Sequence, residues 1–270
     1  MTDIATFGHL TRDVVAGGEP RPGGAVFYST RALAETSASV SVAASCSEAD
    51  RAQLVPPLEA FGLPVRWYDS ETTTAYSFHY DGGRRIMRQD SVGDPWSPER
   101  ALEAAEDAPW MHVGALVRTD FPTETLAALA TEERRLLVDA QGLVRTAALG
   151  PLQTDGEIGD ALRHVTILKV NDEEAETLVG GTDPDRLRSL RVPEILLTLG
   201  SRGAMVVAGE IVERVPAHEI EGPVDPTGAG DTFSAGYLVA RAAGADPVEA
   251  ARAANDLVGT FLRRTGESPQ

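Results

Sequence analysis

Residues 224–244 read VDPTGAGDTFSAGYLVARAAG, and in them Gly228, Ala229 and Gly230 run straight into Asp231 at the head of a long amphipathic stretch. Small residues let a backbone approach an anion closely. Unsatisfied N–H groups at a helix start face outward, and the helix dipole favours negative charge there. The pattern suits a phosphate cradle. Like-charge repulsion disfavours a carboxylate beside such a cradle, unless Asp231 accepts the proton of an attacking hydroxyl. The same residues also make an ordinary glycine-rich helix start, with Asp231 as a partner of the dipole.

Three other groups are chemically suggestive. Asn171 and Glu174 in VNDEEAETLVG are three apart and share a helix face, though an N-cap and an acidic first turn read equally from them. VDAQGLVR, residues 138–145, places Asp139, Gln141 and Arg145 at the end of an apolar run. The carboxyl ends of strands are where doubly wound sheets bind ligands; a satisfied strand-end turn is the alternative. Arg84, Arg85 and Arg88 lie in AYSFHYDGGRRIMRQ, where they would reach an anionic ligand or form a solvated face.

These groups need a scaffold. Short apolar runs predict buried strands at 4–8, 40–44, 111–113, 136–139, 165–170 and 195–199. Amphipathic segments at 25–35, 49–61, 122–132, 172–179, 229–243 and 247–263 predict helices. Strand–helix alternation at this spacing argues for a doubly wound α/β fold, its sheet mostly parallel with helices on both faces. Two stretches do not fit it: 11–24 is rich in Gly and Pro, and 72–90 alternates about Asp81-Gly82-Gly83 as a hairpin would. The simplest organisation is one domain over 1–270, with a small β lid from about 11–24 and 72–90.

Composition narrows the classes. The 270 residues are 42% hydrophobic and 24% charged, ordinary for a globular chain and long enough for a large core. Against 41 acidic residues there are 24 basic ones, a net −17, which would repel a nucleic-acid backbone and an anionic membrane surface. One basic residue alone is Lys, Lys169, which reads as compositional bias. Cys46, the single cysteine, lies in an apolar run and reads as core; a chain with no intramolecular disulfide fits a reducing compartment, the cytoplasm. The start, MTDIATFGHL, has no basic segment followed by an apolar one, so no signal peptide is expected, and no apolar run approaches the ~18 residues of a membrane span. HExxH and CxxC are absent, which argues against a zinc site. GxGxxG fails at Phe233, and Lys169 is followed by Val170 rather than completing a P-loop, so dinucleotide binding and a Walker-type ATPase both drop out.

DPTGAGD followed by a helix resembles the C-terminal signature of the ribokinase-like, or PfkB, family of carbohydrate kinases. Further segments agree in order and spacing, and the resemblance runs from Phe7 to about Arg264. It implies a sugar or polyol kinase using ATP and Mg²⁺, with a doubly wound core and a β lid. Asp231 would be the general base, and Gly228, Ala229 and Gly230 the anion hole. Asn171 and Glu174 match the NxxE motif, which in relatives positions Mg²⁺ and the ATP phosphates largely through water. Thr198, Gly200 and Gly203 in LLTLGSRGAMV would border the nucleotide, and Asn255 would lie against adenine. Asp13, Gly23 and Gly24 in GHLTRDVV…PGGAVFYS would hold the acceptor's hydroxyls. Relatives often bind K⁺ near the first Asp of the signature, here Asp225, which leaves K⁺ as an open addition.

Tyr28 stands where the ribokinase pattern has Asn, a departure that points away from ribose. With Gln141 and Arg145, the VDAQGLVR segment is similar to the myo-inositol kinase-like branch, which implies myo-inositol as acceptor. Another sugar, a nucleoside or a sugar phosphate is the alternative, and a non-catalytic nucleotide- or polyol-binding protein a third reading. Relatives sometimes pair their lids, so monomer and homodimer are both expected states.

Overall fold

The computed structural model describes residues 2–15, 17–81, 84–222 and 224–267. Along the chain come β1 (Ile4–His9), β2 (Thr11–Val15), β3 (Arg21–Gly23), α1 (Ala25–Leu33), β4 (Val40–Cys46), α2 (Glu48–Glu59), β5 (Val65–Asp69), β6 (Thr74–Asp81), β7 (Arg84–Ser91), α3 (Pro98–Ala105), β8 (Trp110–Gly114) and α4 (Thr123–Leu129). Then follow β9 (Arg135–Asp139), α5 (Gln141–Val144), β10 (Gly150–Pro151), β11 (Ile167–Asn171), α6 (Asp172–Val179), α7 (Pro184–Arg188), β12 (Glu194–Thr198), β13 (Ala204–Ala208), β14 (Ile211–Val215), α8 (Ala229–Ala242) and α9 (Pro247–Glu267).

The apolar runs become the centre of a nine-stranded sheet ordered β14-β13-β12-β11-β9-β8-β1-β4-β5. Its strands from β5 to β12 pair in parallel; β13 and β14 are antiparallel additions. Parallel strands are covered on both faces, and so read as continuous apolar runs rather than alternating ones. One core packs Phe7, Met111, Leu136, Val138, Leu168 and Val170 on one face. The other packs Ile4, Val42, Leu137, Ile167, Leu196 and the inner faces of α8 and α9. This is the α/β architecture that the alternation predicts. The chain leaves β1 for β4 and β5 on one side and returns to β8 on the other, so the strand order reverses beside β1. Ligands bind outside the strands' carboxyl ends at such a reversal.

Both stretches that broke the alternation lie at that end. They form a five-stranded sheet ordered β10-β7-β6-β2-β3, which β1 enters directly through Leu10. β6 and β7 make the expected hairpin, with an irregularity at Ala75/Tyr76. Gly82 and Gly83 of its turn lie outside the described residues, as do the side chains of Arg84 and Arg85. The sheet also takes in β10, from a part of the chain where no strand is expected. A small cluster of Ala25, Tyr76, Phe78 and Leu116 seats it on the main body.

The six predicted strands appear within two residues of their expected ends. β5, β14 and α3 went unpredicted for physical reasons. β5 and β14 are sheet edges, partly or largely exposed, and lack a continuous apolar run. α3 has only eight residues and owes its start to the Ser97 side chain, which accepts from the Arg100 N–H, and to Pro98 in the first turn. Cys46 is buried, as its apolar setting implied. No described helix is long and apolar enough to cross a membrane.

Candidate active site

A cavity of about 770 Å³ opens at the carboxyl ends of the parallel strands, between the large sheet, the small sheet and the start of α8. Asp13, Gly24, Asp139, Gln141, Arg145, Asn171, Glu174, Thr198, Gly200, Gly203, Gly228, Ala229, Gly230, Asp231 and Asn255 all line it. Segments more than 200 residues apart in sequence therefore meet in one space.

Gly228 begins α8 in the left-handed region, φ 83°, and no side chain caps the helix. A Cβ there would run into the ring of Tyr28 on α1, so the cradle sits directly on that ring. Ala229 donates its N–H to the Pro226 carbonyl (3.0 Å), which takes this amide out of the free set in this conformation. Asp231 occupies the first turn of α8, half-buried on the cavity wall. Burial, and then the charge of Asp139, push its carboxyl up to about 7, against the opposing pull of Lys169 and Arg145.

Below the cradle lies a residue the sequence reading passed over. Lys169 on β11 faces Asp139 on β9, opposite it in register, and their side chains meet at 2.5 Å, both nearly fully buried. A Cβ on Gly230 would stand 2.9 Å from Lys169 Nζ. Burial opposes the ammonium's charge, but Asp139, Glu174 and Asp231 outweigh it and hold Lys169 protonated above its ordinary range. Asp139 also accepts the Gln141 N–H through its other oxygen (3.0 Å), so one carboxylate orients both the buried cation and the start of α5. The available signal was the lone Lys of a chain otherwise furnished with Arg; it is a position, and not only a bias.

Asn171 and Glu174 form a reciprocal capping box at the start of α6. Asn171 Oδ1 accepts the Glu174 N–H (2.8 Å), and Glu174 accepts both the Asn171 N–H and its side-chain amide (2.9 Å each). The structural reading of the pair is therefore realised, and both residues still line the cavity. Burial and the neighbouring Asp139 raise the Glu174 carboxyl. Among the described residues no group of three or more His, Cys, Asp or Glu side chains is arranged to hold a metal ion.

The small sheet supplies the opposite wall. Asp13 on β2 fills the space beside Gly23 on β3, where a Cβ would meet its carboxylate. Gly24 has φ 98° and abuts the His9 carbonyl, so a side chain is excluded there too. Tyr28, the departure from the ribokinase pattern, lines this end together with Tyr76, Phe78, Met87 and Leu116, four apolar and aromatic side chains that no motif in the sequence marks. Arg145, at the end of α5, is fixed through its carbonyl, which accepts the Arg118 N–H (3.0 Å). Arg118 in turn binds the Leu143 carbonyl (2.9 Å) and the Asp155 carboxylate. Arg88 is half-exposed and pairs with Asp90 at 4.0 Å.

Thr198, Gly200 and Gly203 form the far end, between β12 and β13. Asn255 is buried at the cavity wall; its amide donates to the Val215 (3.3 Å) and Pro216 (3.0 Å) carbonyls, pinning the chain after β14 to α9. Asp225 is exposed, and its carboxylate accepts the backbone N–H (3.0 Å) and hydroxyl (2.6 Å) of Thr227.

Residues 9–268 match the pfkB family of carbohydrate kinases. Ribokinase from Bacillus subtilis (strain 168) is 29% identical over 186 residues, 69% of this chain and 60% of that protein. The bifunctional protein HldE from Caulobacter sp. (strain K31) is 28% identical over 72% of this chain and 41% of its own length. The chain thus spans roughly half the length of these curated relatives. A pyrophosphate-dependent kinase in the ribokinase family, solved with a pyrophosphate analog and myo-inositol, superposes with a TM-score of 0.79 at 27% identity, covering 96% of this chain and 95% of that one. A matching family profile over nearly the whole length, a matching fold and the DPTGAGD segment at the cavity wall agree: the chain belongs to the PfkB family of carbohydrate kinases and has the ribokinase-like fold.

Proposed function

We propose that this protein transfers the γ-phosphoryl group of ATP to a hydroxyl of a sugar or cyclic polyol, with myo-inositol the first acceptor to test. The observation that carries the reading is the meeting, in one cavity, of an uncapped helix start, an Asp231 carboxyl pushed up to about 7 and a buried lysine, with Asp13 in a largely apolar and aromatic pocket under the small sheet. A base works best with a pKa near the operating pH. Asp231 takes the proton from the acceptor hydroxyl as the phosphoryl group transfers in line. The amides of Gly228 and Gly230 stabilise the charge that develops, joined by that of Ala229 if the turn to Pro226 opens. Asp13, with Gly23 and Gly24 behind it, accepts hydrogen bonds from two acceptor hydroxyls, and Gln141 and Arg145 approach the acceptor from the other side. Thr198, Gly200, Gly203 and Asn255 border the nucleotide.

The donor set fits a hydrated divalent ion better than a directly ligated one, since Asn171 and Glu174 already satisfy each other at the cavity edge. These two residues would hold Mg²⁺ through water, and the ion would supply charge neutralisation on the donor phosphates. Asp225 and its turn would be the place for K⁺. The small sheet, built mainly from 11–24 and 72–90 of a single domain, would act as a lid that excludes water from the transferring group. A cytoplasmic setting, as monomer or homodimer, accompanies this reading.

Pyrophosphate is the second donor to consider, because the 27%-identical neighbour carries that dependence together with bound myo-inositol. Phosphorus-31 NMR of the protein with Mg²⁺ and either ATP or pyrophosphate decides the matter. The acceptors to offer are myo-inositol, ribose, fructose, adenosine, cytidine and fructose 6-phosphate. A new phosphomonoester that appears with one donor and a polyol is the expected result. Donor binding without a phosphomonoester for any pair would replace the kinase with the binding-protein reading.

A further inference from the structure

We infer that the Lys169 ammonium is a ligand of the donor's phosphate chain, with Asp139 as the residue that positions it. This assignment rests on the phosphoryl-transfer reading above.

The placement comes from strand register. Alternation along β11 turns Leu168 and Val170 into one core and Ile167 into the other, the face that α8 covers. Lys169 falls on the α8 face, directly under the helix start, and is 5% exposed. Its Nζ lies 2.9 Å from where a Gly230 Cβ would stand, so the missing side chain at 230 is what lets the ammonium border the amide cradle. Asp139 holds it there at 2.5 Å, and is itself fixed by the Gln141 N–H on its other oxygen.

The charges around it argue against a purely structural ion pair. A buried pair is often no more stabilising than apolar residues of the same volume. Six carboxylates line the cavity (Asp13, Asp139, Asp172, Glu173, Glu174 and Asp231), whereas its cations among the described residues are Lys169 and Arg145. A polyphosphate entering this acidic space needs a fixed positive charge at the cradle, and Lys169 is the one that lies there. The choice of side chain agrees. The 24 Lys and Arg residues include one Lys, and its ammonium stands close beneath Gly230, beside the space a Cβ there would fill. A planar guanidinium is larger and needs more room.

The test uses the whole protein and inorganic pyrophosphate as the binding probe, with ATP in parallel, by isothermal titration calorimetry. Lys169→Met should weaken pyrophosphate binding at least ~10-fold and lower kcat/KM for the donor by roughly 10²-fold or more, the scale of losing one donor to developing charge. The acceptor KM should move far less. Lys169→Arg should not rescue either quantity. Because Lys169→Met strands Asp139, the double variant Lys169→Met/Asp139→Asn is the control; it should melt near the wild type and stay impaired in binding. Recovery of pyrophosphate affinity in the double variant would show a structural pair and overturn the assignment. Wild-type affinity in Lys169→Met, or wild-type protein that binds neither pyrophosphate nor ATP, would also overturn it. Wild-type protein that binds donor through Lys169 yet phosphorylates no acceptor breaks the functional reading alone.

Discussion

The two ends of the cavity are built on opposite principles. The donor end is part of the main body: a helix start packed on Tyr28, and a cation held by strand register between two large cores. The proposed acceptor end hangs on the five-stranded small sheet, seated by a cluster of four buried side chains with Met87 and Leu152 beside them. Elements with few buried apolar contacts open at low free energy, and recognition surfaces that must admit a substrate are drawn from them. Under the proposed function, the contrast assigns the chemistry to the more heavily packed half and acceptor choice to the half with the smaller core, which could be remodelled without disturbing Asp231.

The largest expected break in this contrast is Asp231→Asn. Loss of a general base should lower kcat by ~10²- to 10⁴-fold with both substrates still bound. In the wild type, kcat should rise with pH through about 7 as Asp231 ionises. The stability sign is opposite. The folded value lies above the unfolded ~3.9, so Asp231 contributes most at low pH and loses that contribution as pH climbs toward 7, then levels off. Asp231→Asn removes the decline, and the variant should gain on the wild type between pH 4 and pH 8 in denaturant melts.

Asp13→Ala should act on the other end only. Losing a charged acceptor of substrate hydroxyls is expected to raise the acceptor KM by ~10- to 100-fold, with the donor KM nearly constant. Equal changes in both would dissolve the distinction between the two halves. Gln89→Leu tests the attachment of the small sheet. Its buried amide donates to the Thr146 (3.2 Å) and Ala148 (3.1 Å) carbonyls, tying β7 to the loop that follows Arg145. Stranding those carbonyls should cost about 1–3 kcal/mol and loosen acceptor binding more than donor binding. Smallest is Arg88→Ala, a half-exposed side chain whose removal should change stability by no more than about 0.5 kcal/mol. A large rise in acceptor KM there would instead make Arg88 part of the acceptor pocket.

The helix start at Gly228 was legible because its chemistry is local: successive small residues and one carboxylate, read in a single line. The parallel strands were legible because burial on both faces leaves unbroken apolar runs. Asn171 and Glu174 were legible too, and their capping box shows that one spacing serves a helix start and a cavity wall together. Lys169 was not, because its meaning lies in Asp139, earlier in the chain on β9, and in Gly230, far later at the start of α8. The amide contacts of Asn255 were not legible either, because helix periodicity cannot see the chain after β14 that lies against it.

By itself, then, the order of residues determined the α/β alternation, the glycine-rich helix start before Asp231 and the family, since each is written in contiguous residues. Only the tertiary structure decided that Lys169 and Asp139 face each other under Gly230, that β10 joins the small sheet, and that Tyr28 carries the cradle. Those are matters of register and packing between distant segments, and no local pattern encodes them.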